Sequence, residues 1–297
     1  MKEVVAVDLG QSKLLCGLVR EDLSASAMAP EATAGLDRDA LLALLVSTIS
    51  AAWSERTAAV GVACAATVDH GSGTLLWAGA LPLDGFPLRA YLERELGVPV
   101  CVENDGNAAA VGEHRAGAGI GVEHLVVLTV GTAVGGGIVL GGRLHRGATG
   151  IAGELGHFTV DSHGPRCVDG CAGVGHLDVL GSGSALDAGA RRLGAADGRA
   201  AVDRARDGDP AARAAIARVG RMLGRGATAL VNILDPELVL VGGGAAAAGE
   251  LLLGPMRAVV RKRALPPACG RVRIELAHLG PQAGLVGAGA LALESVA

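Results

Sequence analysis

Aromatic residues are scarce in this chain, with two Trp, two Phe and one Tyr in 297 residues. Basic surplus is missing too: 26 Lys and Arg stand against 30 Asp and Glu, for a net charge of −4. Nucleic-acid binders need cationic surface for phosphates and rings for bases, so no nucleic-acid partner is expected. Apolar runs are short. None reaches the roughly 20 residues of a membrane span. The nearest, Leu41 to Trp53, is bracketed by Asp37, Arg38 and Asp39 before and Glu55 and Arg56 after, and reads as an amphipathic surface helix. No membrane partner is expected. Lys2 and Glu3 precede an apolar run that Asp8 interrupts at once, unlike a signal peptide. Cys16, Cys64, Cys101 and Cys269 are scattered, which suits reduced thiols in a cytoplasm. Neither a G-x-x-x-x-G-K-[ST] loop nor a G-x-G-x-x-G after a strand occurs, so P-loop and Rossmann readings lose support.

What is present is half hydrophobic and long enough for one large or two ordinary domains. Val4 to Val7 runs into Asp8-Leu9-Gly10-Gln11-Ser12, and Leu14 to Val19 returns, which predicts a β-hairpin. Leu125 to Val130, the Gly131 to Gly135 turn and Gly136 to Leu140 repeat the pattern. Two such hairpins, each opening a mixed segment, predict two related α/β halves. Between them Ala58 to Cys64 is a strand, Leu88 to Leu96 a helix and Val98 to Val102 a strand leading into Asn104-Asp105. Asn107 to Ala118 is expected as a helix with Glu113 and Arg115 on its polar side, crossing between halves, with Gly117 to Gly121 as a hinge. Asp187 to Asn232 is expected to be helical with a new start at Pro210. Strands are expected at Leu238 to Val241 and Val272 to Leu276, and a closing helix at Gly284 to Leu293 packs back on the first half.

Chemistry concentrates between Glu103 and Asp178. Phosphoryl transfer to a hydroxyl needs a base, donors around the phosphates and usually magnesium. Asp105, in an Asn-Asp-Gly turn after a strand, is the candidate base; the bland alternative is a turn aspartate capping the next helix. Gly131-Thr132 with Gly135 gives a turn whose N–H groups can approach phosphate oxygens without a Cβ in the way. Asp8 and Gly10 are expected to form an opposing wall, with Asp8 near a hydrated Mg2+ and Ser12 donating a hydroxyl. Gly243 and Gly244 leave room for a flat adenine, or simply turn the chain. Glu154 can accept from sugar hydroxyls, and His157 can bind sugar through one ring nitrogen and metal through the other. Cys167 and Cys171 with His157 and His176 make four zinc-type ligands, and Asp169 can replace one of them.

On these motifs the chain resembles the ROK family (repressor, open reading frame, kinase), specifically its glucokinase-like sugar kinases. The resemblance runs from Asp8-Leu9-Gly10-Gln11-Ser12-Lys13 through Glu103-Asn104-Asp105-Gly106-Asn107, Gly131 to Gly137, Arg146-Gly147-Ala148 and Gly153-Glu154-Leu155-Gly156-His157. It continues through Ser182 to Leu186, Leu234 to Glu237 with Gly242 to Gly244, and Leu279-Gly280 with Ala283 to Ala288. It implies an actin-like ATPase (ribonuclease H-like) fold of two α/β domains, residues 1–117 with 286–297 and residues 118–285, holding ATP and sugar in the cleft between them. Asp105 would deprotonate the sugar hydroxyl, Asn104, Glu154, His157 and Asp178 would hold the sugar, and Zn2+ would be structural. The implied reaction is transfer of the γ-phosphoryl group of ATP to a hexose hydroxyl, with the 6-OH of glucose as the leading acceptor. Homodimers are frequent in the family, so a homodimer or higher homo-oligomer is expected. With the first hairpin starting at Val4, the helix-turn-helix of the family's repressors is not expected.

The departures concern the acceptor. The family's zinc loop usually reads C-x-C-G-x-x-G-C-x-E; here the aligned positions are Asp169, Cys171, His176 and Asp178, and Cys167 lies upstream. Ala65-Ala66 stand where Pro-Gly is usual, no asparagine stands around Ala80, and Ala133 replaces a glycine. An aminosugar or a sugar-like cyclitol of secondary metabolism is therefore an alternative acceptor, and a catalytically inactive sugar-binding or regulatory relative is the alternative of another class. Polyphosphate in place of ATP is left open by the sequence.

Overall fold

The computed structural model describes residues 2–79, 81–168 and 171–297. The chain folds as two units, residues 1–120, 144–153 and 279–297 in one and residues 121–143 and 154–278 in the other. The segment 144–153, which the sequence reading gave to the second half, thus lies in the first.

Unit 1 begins with β1 (Glu3–Leu9) and β2 (Lys13–Arg20), antiparallel through a turn in which Gly10 N–H donates to Lys13 O. Two short strands follow, β3 (Ala25–Ala27) and β4 (Glu31–Ala32), both paired with β2. Helix α1 (Arg38–Ala51) is capped by Asp37 and buries Leu41, Leu42, Leu45, Thr48 and Ile49, the spacing of one helical face, as expected of an amphipathic helix. Then come β5 (Thr57–Cys64), the ribbon β6 (Thr67–Asp69) and β7 (Thr74–Trp77), α2 (Leu88–Leu96), β8 (Val100–Asn104) and α3 (Asp105–Ala116). Strands β1, β5 and β8 are parallel neighbours.

Unit 2 repeats this plan. Strands β9 (Leu125–Val130) and β10 (Val134–Leu140) are antiparallel, with β11 (Arg143–Leu144) at the edge of their sheet. Helices α4 (Leu177–Gly181), α5 (Gly183–Arg192), α6 (Gly198–Arg206) and α7 (Pro210–Leu234) precede β12 (Leu238–Gly242). After α8 (Glu250–Arg263) and α9 (Ala268–Arg271), β13 (Arg273–Leu276) joins β12 in parallel, and β12 joins β9 in parallel. Strand order β2-β1-β5-β8 in one sheet therefore matches β10-β9-β12-β13 in the other. The apolar strands expected of buried parallel sheets are here: Leu238 to Val241 is wholly buried.

The closing helix α10 (Ala283–Ser295) belongs to unit 1 and packs against α3, β1 and β5. Its glycines allow backbone contact. A Cβ at Gly287 would strike Ala108 O, and one at Gly61 on β5 would strike Ala288 O.

Two expectations for α3 are corrected. The helix starts at Asp105 and, with residues to Ile120, lies within unit 1, so it does not cross between halves. Glu113 is fully buried rather than on a polar side. Its Oε2 accepts Ala118 N–H at 3.0 Å and its Oε1 accepts Leu279 N–H at 2.7 Å, which satisfies donors where α3 ends and where the chain enters α10. Among the described residues no helix is long and apolar enough to cross a membrane.

Candidate active site

In unit 1 the ends of three parallel strands converge. Leu9, Cys64 and Asn104 stand in register across β1, β5 and β8, one residue after Asp8, Ala63 and Glu103. Burial raises the Cys64 thiol above its ordinary range, and the negative charges of Asp105 and Asp8 nearby add to this. The buried thiol thus lies within electrostatic reach of both candidate acids. Asp8 itself is pushed from 3.8 up to about 6 by burial, partly offset by Lys13. Gly10 and Ser12 belong to the same turn: Thr33 donates its hydroxyl to Gly10 O at 2.9 Å and its N–H to Ser12 O at 3.1 Å.

Asp105 is the first residue of α3, and the cap is Asn104, whose Oδ1 accepts Asn107 N–H at 3.0 Å. The capping role that the sequence left open for Asp105 therefore falls to its neighbour. Asp105 Oδ1 accepts Gly106 N–H at 2.8 Å, and the helix N-terminus favours its negative charge. Asn104 Nδ2 donates to Ala66 O at 3.1 Å, so the Ala65-Ala66 segment is tied to the base turn.

In unit 2 the β9–β10 turn is closed by Gly131 N–H on Ala133 O at 2.9 Å. It is fastened to α5 by Gly183 N–H on Gly131 O at 2.7 Å and by Ser184 Oγ on Thr132 O at 2.7 Å. A cavity of about 670 Å³ opens here, lined by Gly131, Thr132, Ser184, Arg199, Arg206 and Gly244 among others. Its size falls within the range of small-molecule and cofactor sites. Gly243, at φ +81°, turns the chain under it, and a Cβ there would meet Val130 backbone at 2.6 Å. Gly135 lies on β10, where a Cβ would meet Thr129 Oγ1 at 2.8 Å, and is not among the lining residues.

Glu154 O accepts His157 N–H at 3.1 Å, and Asp178 N–H from α4 is bonded to Gly156 O of that turn at 2.9 Å, so three of the expected sugar-holding residues are linked in unit 2. Asp178 is buried and its Oδ1 accepts Val134 N–H at 2.5 Å. Asn104 and Asp105 lie in unit 1.

His157, Cys167, Cys171 and His176 come together. Their candidate ligand atoms all lie within 4.8 Å of one another, with His157 Nδ1 to Cys167 Sγ at 3.9 Å and His176 Nδ1 to Cys171 Sγ at 3.8 Å. Ligands about 2.0–2.3 Å from a tetrahedral zinc stand about 3.3–3.8 Å apart, so a Cys₂His₂ set fits with little adjustment. Bridges Thr159↔His176 and Arg166↔Val174, with Cys167 N–H on Gly173 O at 2.9 Å, fold the loop into this arrangement. Asp169, the alternative ligand, and Ala80 lie outside the described residues.

The family model for the ROK family matches residues 4–295. The chain belongs to the ROK family. It is 31% identical to the glucokinase of Thermotoga maritima, over 99% of this chain and 98% of that one. It is 36% identical to the N-acetylmannosamine kinase of Shigella flexneri, over 97% and 98% respectively. Among solved structures it is similar to a ROK family glucokinase from Streptomyces griseus in complex with glucose and AMPPNP, with a TM-score of 0.87 and 33% identity over 98% of this chain and 99% of that chain. This ROK chain therefore has the actin-like ATPase fold expected from its motifs.

Sequence reasoning missed several residues of this ROK site. Glu103 and Arg146 pair at 2.6 Å, and Arg206, paired with Asp203 on its own helix, reaches across the cavity to Ala247 O at 2.8 Å. Asn107 was read as part of a motif without a role, although its side chain donates to Glu103. The family motifs contained Glu103, Asn107 and Arg146, but only the fold pairs residues 43 positions apart. Arg206 sat in an Ala/Arg-rich helix with nothing local to mark it.

Proposed function

We propose that this chain is an ATP-dependent sugar kinase that transfers the γ-phosphoryl group to a hexose hydroxyl, with Asp105 as general base. The observation that carries the proposal is the setting of Asp105. It is the first residue of a capped helix at the C-terminal edge of a parallel sheet, in a chain similar over its full length to glucokinases. Its neighbour Asn104 does the capping, so the Asp105 carboxylate is not needed for that task.

The donor is ATP in this reading. The unit 2 cavity would take the nucleotide, with the Gly131-Thr132 turn at the phosphates and Gly244 at the base. Asp8 would hold a hydrated Mg2+, whose charge supplies electrostatic relief for the transferring phosphoryl group. Glu154, His157 and Asp178 with Asn104 would hold the acceptor. His157 turns Nδ1 toward the thiol cluster, which gives Nε2 to the acceptor. Zinc on His157, Cys167, Cys171 and His176 would be structural.

Glucose is the leading acceptor. A second reading, an aminosugar, is favoured by the higher identity to the N-acetylmannosamine kinase and by an acid, Asp178, one methylene shorter than the usual glutamate. A change in a buried hydrogen-bonding partner alters acceptor discrimination by orders of magnitude. A coupled ADP-release assay across hexoses, aminosugars and cyclitols decides between them. Turnover with one class is expected, and Asp105→Ala is expected to lose about 10³-fold or more of it while keeping its fold. Silence across the whole panel would mark an inactive sugar-binding relative, and near-normal turnover by Asp105→Ala would refute the base.

A further inference from the structure

Glu103 accepts hydrogen bonds from three donors beside the base turn and has no assigned role. Its carboxylate is buried, with 5% of the side chain exposed, and is shared among three donors. Oε1 accepts Asn104 N–H at 3.0 Å and Asn107 Nδ2–H at 3.0 Å. Oε2 accepts Arg146 Nε–H at 2.6 Å. With the Asn104 cap on Asn107 N–H, residues 103, 104 and 107 form a closed bracket around Asp105.

Two features argue that this bracket is more than packing. The first is that Asn107, 1% exposed, gives its amide N–H to Glu103 while its Oδ1 is buried without a partner. A purely structural core position disfavours such an orphan, and buried unsatisfied groups in folded proteins call for an explanation. The second is where Arg146 comes from. It lies in the 144–153 segment, which joins unit 1 although the residues before and after it belong to unit 2. That segment is seated by Ala152 N–H on Arg146 O at 3.2 Å and by Gly150, whose φ is +87° and which lies against Val68 O. It leads directly into Glu154, the expected acceptor-holding acid.

We propose that Arg146 and Glu103 are a positioning pair that fixes the Asp105 turn by tying it to the 144–153 segment of the same unit. Neither touches the reacting atoms. Arg146 supplies a planar donor from the 144–153 segment, and Glu103 passes the constraint through Asn104 and Asn107 to the N-terminus of α3, where Asp105 stands. The inference rests on the kinase reading for its catalytic consequence, but the geometric part does not depend on it.

The test uses the full chain and the variants Arg146→Ala, Glu103→Gln and Arg146→Lys. Misplacing a reacting group by about 1 Å costs about 10²-fold, so Arg146→Ala and Glu103→Gln should lower turnover of the acceptor by about 30- to 100-fold. The KM for ATP should stay within about twofold, because the cavity in unit 2 is untouched. Arg146→Lys should recover part of the loss, since it keeps the charge without the planar donor. Hydrogen exchange supplies a readout independent of activity. Amides of Gly106 and Asn107 should exchange about tenfold faster in Arg146→Ala while those of β1 and β5 are unchanged. Unchanged exchange at the turn would overturn the proposal, as would faster exchange spread evenly over unit 1 or an ATP KM that rises with the acceptor KM. If the parent protein phosphorylates nothing in the panel, the kinase reading falls, and the exchange data alone still decide whether the pair holds the turn.

Discussion

Asp178 Oδ1 accepts the N–H of Val134 at 2.5 Å, so an acid in the first turn of α4 is bonded to the first residue of β10, directly after the glycine turn. One carboxylate oxygen is thus committed to backbone, which separates a structural task from a binding one. Asp178→Asn keeps a carbonyl acceptor for Val134, whereas Asp178→Ala leaves that buried N–H without a partner at a cost of about 1–3 kcal/mol. Thermal denaturation should therefore show a drop for Asp178→Ala only, while both variants should raise the acceptor KM. An equal loss of stability in the two would refute the assignment of this bond.

Asp8 makes stability depend on pH. The unfolded carboxyl ionises near 3.8 and the folded one near 6, so the folded state holds its proton more tightly. Stability should then fall as pH rises from about 4 to about 6 and level off above, the reverse of a salt-bridged aspartate. Asp8→Asn should melt higher than the parent at pH 8, with the gain vanishing near pH 4. A gain of equal size at both pH values would sink the idea. The same variant should raise the Mg2+ concentration needed for half-maximal turnover by about 10- to 100-fold, as expected when a group holding a metal's hydration shell is removed.

The Cys₂His₂ cluster should hold about one equivalent of zinc as purified. Stripping it with a chelator, or replacing Cys171 with Ser, should lower the melting temperature and expose the loop from Thr159 to His176 to protease, since metal binding is coupled to local folding. Metal analysis returning less than about half an equivalent would count against the site.

Arg206 ties α6 to the 3₁₀ turn Gly244–Ala248, two walls of the unit 2 cavity. Arg206→Ala should raise the KM for ATP by about 5- to 10-fold, about 1–1.4 kcal/mol, and leave the acceptor KM in place. Initial-rate kinetics with each substrate varied in turn would check this, and a change confined to the acceptor would contradict it.

Most of the strand framework was legible in the sequence because parallel strands buried on both faces are near-continuous apolar runs, as in Ala58 to Cys64 and Leu238 to Val241. The hairpins were legible from the Gly10 and Gly131 turns, and Cys167, Cys171 and His176 from ligand spacing. What escaped was set by tertiary contact. Glu113 sits on a helical face that reads as polar, yet the fold brings Leu279 N–H to it from 166 residues away. Asn104 and Asp105 are equally good caps by type, and only backbone geometry gives the cap to Asn104. Segment 144–153 contains nothing that says to which unit it belongs; its anchor is the Glu103 carboxylate.

The seating of α10 against α3, β1 and β5 also bears on how the chain is made. Residues 1–120 leave the ribosome long before residues 283–295, so unit 1 must wait, with the groove lined by Gly61 and Ala108 still open, while all of unit 2 is synthesised. The unit that starts the polypeptide is thus the last to close, and its apolar sheet face is the surface on which a chaperone would act during translation.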